Sequence, residues 1–279
     1  MGILNVTPDS FSDGGQFSQS ASAVDRALRM EDEGASLIDI GGESTRPYST
    51  PVDSDEELRR VVPVLEALRG RIGIPLSIDT SKARVAAAAL DLGAEIVNDV
   101  TALTGDPEML ALVAARRPGV CLMHMRGTPQ TMQDGPLYQD VVGEIIAYLM
   151  ERLRHCEAAG VPAPHIAFDP GVGFGKTHAH NVALLRATRQ FAALGQPLLI
   201  GHSRKGFIGK LLGDAQADRT FGTLGVSLAA ALGGAQILRV HDVRPTVEGL
   251  RTFLPCLPSA QESPEHLFER LANGPNRSP

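Results

Sequence analysis

The sequence predicts an α/β protein folded as a single (β/α)8 TIM barrel. Three observations lead there: short apolar runs alternate with amphipathic stretches, eight such runs fit into about 255 residues, and no composition break divides them. The strand candidates, in order, are Gly2–Val6, Ser36–Ile40, Pro75–Asp79, Ile96–Asp99, Val120–His124, His165–Asp169, Pro197–Ile200 and Gln236–Val240. Each is bounded by Gly, Pro, Asn or Asp and is nearly continuously apolar, as a strand buried on both faces should be. Helical periodicity covers Ala21–Glu33, Asp55–Arg69, Ser81–Leu92 and Val141–Ala159, and each segment stops at a glycine (Gly34, Gly70, Gly93, Gly160). Ser81 is the expected N-cap of the third. The Ala-rich Val226–Ala231 reads as a close-packing helix. A doubly wound open sheet is the structural rival, and eight near-equal units favour closure. The expected barrel spans residues 1–255. The tail 256–279 turns Pro-, Ser- and Asn-rich and is expected to be loosely ordered, with a short helix over Glu265–Ala272.

Composition narrows the function classes. The net charge is −6 and the pI near 5.8, which argues against a non-specific nucleic-acid binder. Charged residues make up 21% and hydrophobic residues 43%, as in an ordinary globular chain. No apolar run approaches the ~20 residues of a membrane span. The three cysteines, Cys121, Cys156 and Cys256, form neither a disulfide framework nor a zinc motif, so a reducing cytoplasm is the expected location. Met1 leads straight into strand-like residues rather than a charged signal segment. Trp is absent and aromatics are 4%, so the core should be aliphatic.

In such a barrel the active site forms at the C-terminal ends of the strands. Polar groups collect there. The first strand ends at Asn5 and the second carries Asp39 into Glu43, Ser44, Thr45 and Arg46. Asp79, Asn98-Asp99, His124 and Asp169 end the next four. Ser203, Arg204 and Lys205 follow the seventh, and Arg239 and His241 close the eighth. Any one Asp there has a bland reading as a loop or cap residue. All eight strands together do not. Asp79, Asn98 and Asp169, with the Lys205 amine, suit a flat nitrogen-rich heterocycle with an amide edge. Arg46, Arg239, His241 and Asn5 suit a polyanion such as a diphosphate. The turn Gly201–Gly206 follows a strand and opens a helix, and its backbone N–H groups read as an anion site.

The runs that carry these residues resemble the dihydropteroate synthase signatures of the pterin-binding superfamily. They are Gly2–Gly15, Asp39–Pro47, Ser77–Thr80, Asn98–Val100, Leu122–Pro129, Asp169–Thr177, Gly201–Lys205 and Arg239–Asp242, in order over residues 1 to 255. The resemblance implies a transferase that joins 6-hydroxymethyl-7,8-dihydropterin diphosphate to 4-aminobenzoate, giving 7,8-dihydropteroate and diphosphate for folate synthesis. It implies that Asp79, Asn98, Asp169 and Lys205 hold the pterin and form the catalytic set, with Met123 and Gly201 also against substrate. Asp79 would face positive charge that develops as diphosphate leaves. Asn5, Arg46, Arg239 and His241 would hold the diphosphate. Mg²⁺ would bridge Asn5 and diphosphate oxygens. Thr45, Pro47, Phe174, Ser203 and Lys205 would form the aminobenzoate pocket, with sulfonamides as competitors. The loops Ser10–Gly15 and Glu43–Thr50 would close over the ligands. The resemblance also implies a homodimer paired through late helices, with small-molecule partners and neither nucleic acid nor membrane. It departs from the family in two loop positions: Tyr48 stands where a Gly is expected, and Val172 replaces a commoner residue. Family members also carry an N-terminal hairpin before the first strand, so Met1 reads as a possible internal Met.

Competing readings are weighed on the same residues. His124 is expected to pack near the barrel mouth on a neighbour rather than catalyse. His178 and His180 are expected in a solvated loop rather than at a metal. Lys205 as a Schiff-base lysine is disfavoured by its place at a helix start. A pterin-dependent methyltransferase would share Asp79, Asn98 and Asp169 without needing a diphosphate clamp, and a non-catalytic pterin-binding paralogue would bind without turnover.

Overall fold

A computed structural model describes residues 1–7 and 16–257. The parallel strands are β1 (Gly2–Asn5), β2 (Ile38–Gly41), β3 (Leu76–Asp79), β4 (Ile96–Asp99), β5 (Gly119–Met123), β6 (Ile166–Asp169), β7 (Leu199–Ile200) and β8 (Ile237–Leu238). The first six form one sheet in chain order, and β7 pairs with β8. Two parallel bridges complete the ring, Phe168 to Leu198 and Val240 to Gly2. At the second, the Ile3 N–H donates to the Val240 carbonyl at 2.9 Å and the Val240 N–H donates to that of Met1 at 2.9 Å. The expected β7 and β8 runs are trimmed to two residues each, because their flanks pair only through such bridges.

Outside the ring lie α1 (Gln16–Asp32), α2 (Ser54–Leu68), α3 (Ala83–Asp91), α4 (Met109–Arg116), α5 (Val141–Ala158), α6 (His178–Arg186), α7 (Thr188–Ala192), α8 (Gly206–Leu211), α9 (Thr220–Leu232) and α10 (Val243–Phe253). Local chemistry sets their starts. The Asp53 carboxylate accepts the Glu56 N–H at 2.8 Å to cap α2, and Thr177 and His180 form a reciprocal capping box on α6. Ser81 does not cap α3. The helix starts one residue later, after Lys82, and its Ala83 N–H donates instead to Asp106 Oδ2 at 2.8 Å, a carboxylate from the next loop. His178 and His180 sit in the first turn of α6, not in a solvated loop. The core is aliphatic as composition required: Ile38, Ile40, Ile78 and Leu122 on the strands meet Leu65, Leu68 and Met109 on the helices, with Phe168, Phe191 and Phe207 the large fillers. Among the described residues no helix is long and apolar enough to cross a membrane. The tail beyond Leu257, including the helix expected over Glu265–Ala272, lies outside the described residues, as does the loop Ser10–Gly15.

Strand register positions the site. Asn5 lies opposite Gly41, Gly41 opposite Asp79, and Asp79 opposite Asn98, so the C-terminal ends of four strands meet at one level. On the facing side Met123 lies opposite Asp169.

Candidate active site

An ion-paired floor lies under the rim. Arg239 donates from Nε to Asp39 Oδ2 and from Nη2 to Asp79 Oδ2, each at 2.6 Å. The Asn98 amide donates to the same Asp39 oxygen at 2.9 Å. Asp39 is fully buried, and its Oδ1 has no partner among the described residues. Burial raises the Asp79 carboxyl to about 7, against the pull of the Arg239 guanidinium. The same desolvation raises Asp169, whose Oδ1 accepts the Gly171 N–H at 2.7 Å.

Above this floor a cavity of about 480 Å³ opens at the C-terminal face of the barrel. Of the residues singled out from the sequence, Asn5, Asp79, Arg239 and His241 line it, as do Thr45, Arg46 and Pro47 from the β2–α2 loop and Phe174, Ser203 and Lys205 from the β6 and β7 ends. Asn98, Met123, Asp169 and Gly201 do not line it. They are buried beneath it.

Lys205 reaches the cavity from the start of α8. Its ammonium donates to the Val172 carbonyl and lies 4.3 Å from the centre of the Phe174 ring. Burial lowers this amine to about 7, with Asp169 pulling the other way. Gly173 sits at φ 87°, a conformation that favours glycine, and a Cβ there would also push the Lys205 stem aside. Ser203 Oγ accepts the His241 N–H at 3.1 Å and lies 2.9 Å from His241 Nδ1. Burial, then Arg204 and Arg239, lowers the His241 imidazole to about 4, so the ring is neutral at pH 7. Arg46 stands exposed at the mouth.

The structure revises two readings of this region. Arg239 is not confined to a cationic clamp, because its guanidinium already joins the acidic floor. The Gly201–Gly206 turn is also less open as an anion site than its sequence implied: the Arg204 N–H donates to Thr223 Oγ1 at 3.1 Å, the Lys205 N–H donates to the His202 carbonyl at 3.3 Å, and α8 is only six residues long.

Sequence reasoning passed over Asp39 and Lys176 as site residues. Lys176 reads as a loop lysine, yet it is 2% exposed, and its ammonium reaches His124 Nδ1, the His124 carbonyl and the Phe174 carbonyl, each at 2.9 Å. With all three donors used, it ties the β6–α6 loop to the end of β5. His124 packs there edge-on to Tyr148, 4.9 Å between ring centres, and burial beside Lys176 lowers it to about 3. The signal available was the Gly171–Gly173–Gly175 run, in which all three glycines have positive φ.

The β2–α2 loop is held by polar anchors rather than apolar ones. The Tyr48 N–H donates to the Pro129 carbonyl at 3.0 Å and its hydroxyl to Asp134 at 3.2 Å. Tyr48 has φ 62°, the conformation that favours the Gly expected there. Val172, the other departure, is fully buried.

No three His, Cys, Asp or Glu side chains among the described residues gather as a metal site. Asn5 offers the cavity an amide, and no hydrogen bond engages its side chain among the described residues. One neutral oxygen suits Mg²⁺ held mainly by phosphate and water, so the residues fit the ion.

Known proteins resemble this chain over most of its length. The family model described as "Pterin binding enzyme" matches residues 1–241. The dihydropteroate synthase of Escherichia coli K12 is 46% identical over 263 residues, covering 94% of this chain and 93% of its own. The Xanthomonas albilineans dihydropteroate synthase, solved with 4-aminobenzoic acid, superposes with a TM-score of 0.86 at 47% identity, covering 92% of this chain and 93% of that one. The Yersinia pestis enzyme in complex with a sulfonamide drug gives 0.85 at 46% identity, covering 91% and 92%. With 94% of its length aligned to a synthase and the acid–cation cavity in place, the chain belongs to the pterin-binding enzymes, among the dihydropteroate synthases.

Proposed function

We propose that the rim cavity binds 6-hydroxymethyl-7,8-dihydropterin diphosphate at its floor and 4-aminobenzoate at its mouth, and that the residues divide the transferase reaction between them. The carrying observation is the 2.6 Å pairing of Arg239 with Asp79 at the base of a cavity whose mouth holds Arg46 and His241. An anion and several cations thus serve one small space. Asp169 accepts N–H bonds from the guanidine-like edge of the pterin, while Asn98 and Lys205 meet its amide edge. Met123 and Gly201 shape the pocket base.

Arg46, Arg239 and His241 hold the diphosphate. His241, neutral at pH 7, contributes as a hydrogen-bond donor rather than as a charge. As the carbon–oxygen bond to diphosphate breaks, positive charge grows on the pterin and its methylene. The Asp79 carboxylate, favoured in its charged form by the pair with Arg239, stabilises that charge from a fixed position. The aminobenzoate amine then attacks the methylene, and the new C–N bond is completed as the nitrogen gives up one proton, which leaves with the diphosphate. Thr45, Pro47, Phe174 and the Lys205 stem wall its ring, and Ser203 meets its carboxylate. Asn5 would hold Mg²⁺ beside the diphosphate, and the ion would supply positive charge for the leaving group. Closure of the β2–α2 loop keeps water from the carbocation.

A homodimer is part of this reading. Leu211, Leu212 and Phe221 on the α8–α9 side are exposed, Phe221 by 81%, and a second copy would cover them. The reaction test is formation of 7,8-dihydropteroate with stoichiometric diphosphate from the two substrates. Binding of the pterin without turnover would leave a non-catalytic paralogue, and methyl transfer from a folate would indicate the methyltransferase reading.

A further inference from the structure

The segment that carries Thr45, Arg46 and Pro47 into the cavity is tied at its base by a single carboxylate. Glu43 Oε1 accepts the Val52 N–H at 3.1 Å, so Glu43 joins the two ends of the loop. Its other oxygen, Oε2, takes a hydrogen bond from Lys82 Nζ at 2.5 Å. Lys82 lies three residues beyond Asp79, where β3 leaves the barrel. The same ammonium donates to Glu57 Oε2 on α2 at 2.6 Å. Glu57 is fully buried, and its remaining oxygen has no partner among the described residues, so Lys82 is the group that compensates its charge.

The surrounding backbone is fitted to this contact. Gly42 leaves no room for a side chain, because a Cβ would meet Val61 Cγ1 at 2.8 Å and Glu57 Cγ at 2.9 Å. Arg60 Nη1 holds the Gly42 carbonyl at 2.8 Å. Neither Lys82, Glu43 nor Glu57 lines the cavity.

We propose that Lys82 is a positioning residue: by bridging Glu43 to Glu57 it fixes the base of the β2–α2 loop against the end of β3 and so sets Thr45, Arg46 and Pro47 over the aminobenzoate end of the cavity. It acts through the loop and touches no substrate. The inference rests on the reading that those three residues meet the aminobenzoate and diphosphate ends of the substrates.

The test is initial-rate kinetics with each substrate varied in turn on Lys82→Met, Lys82→Arg and Glu43→Gln, with calorimetric affinity for a pterin lacking diphosphate. A small displacement of a wall residue is amplified at such a site, so Lys82→Met raises the KM for 4-aminobenzoate about tenfold while pterin affinity stays within about twofold. Lys82→Arg keeps the bridge and restores KM to within about threefold of the parent. Glu43→Gln, which leaves the buried Lys82–Glu57 pair intact, raises the same KM about threefold or more and decides the matter if Lys82→Met does not fold. An unchanged aminobenzoate KM in folded Glu43→Gln, or a parallel loss of pterin affinity, overturns the positioning role. Thr45→Ala separates the two levels. If it raises that KM and the Glu43 and Lys82 variants do not, the bridge fails alone; if it has no effect, the pocket assignment itself fails.

Discussion

Arg239→Met removes the guanidinium that holds the floor together while keeping most of the side-chain volume. In the parent, one cation serves two carboxylates at 2.6 Å; Asp39 is fully buried and Asp79 is 7% exposed. Breaking a buried pair by removing one partner costs about 3–5 kcal/mol, because the surviving charge has neither water nor counter-ion. For a domain of this size that corresponds to a fall of about 10 °C in Tm. The loss should depend on pH. Asp79 already sits near 7 in the folded protein, and without Arg239 it rises further, whereas in the unfolded chain it stays near 3.8. A carboxyl raised on folding stabilises most below its unfolded value and loses that contribution as pH climbs through its folded value. The penalty of the substitution is therefore larger at pH 8 than at pH 5.5, by about 1 kcal/mol for the first unit of further shift and by no more than about 1.4 kcal/mol in all. Urea melts of parent and variant at both pH values measure this. A loss under about 1 kcal/mol, or one equal at the two pH values, would refute the shared ion pair.

Three other outcomes follow from the same geometry. His202 is buried neutral, with burial lowering it to about 4, so it contributes stability above pH 6.5 that is lost as pH falls toward 4, about 3 kcal/mol in all. Acid urea melts of His202→Gln should show a shallower decline than the parent, and equal slopes would count against it. Gly171→Ala places a Cβ 1.9 Å from the His124 carbonyl oxygen at φ 69°, and should cost more than about 3 kcal/mol in thermal unfolding; a Tm within a degree or two of the parent would reject that geometry. Phe221→Asp, on the exposed α9 face, should weaken a dimer at least about a hundredfold in sedimentation equilibrium, since each copy loses about 2–3 kcal/mol of apolar burial and gains a charge. A dimer unaffected by it would place the interface elsewhere.

The sequence was informative about which polar residues the strand ends bring together. Asn5, Asp79, Asn98, Asp169 and Arg239 stand at the ends of apolar runs, and the barrel rule turns that position into a shared rim. Which charges pair was not legible, because Asp79 and Arg239 lie 160 residues apart and the separation of charges by sign put them in different groups. Lys176 was hidden for a related reason: a lysine after a glycine run looks solvated until the loop folds back on His124. The cap of α3 shows the limit of local rules, since Asp106 from the following loop supplies what Ser81 was expected to supply. Tyr48 is the converse case. It stands where the family resemblance placed a Gly, and its φ of 62° lies in the region that favours one.

The most direct measurement is single-turnover kinetics of Asp79→Asn. The substitution keeps the shape of the carboxylate and removes its charge from the point where positive charge develops on the pterin. The account predicts a fall in the chemical rate of about a hundredfold or more, with affinity for the pterin diphosphate within about fivefold of the parent. A variant whose rate stays within about threefold of the parent would contradict the assignment of Asp79, and with it the claim that the rim cavity works by setting an anion beside its phosphate-binding cations.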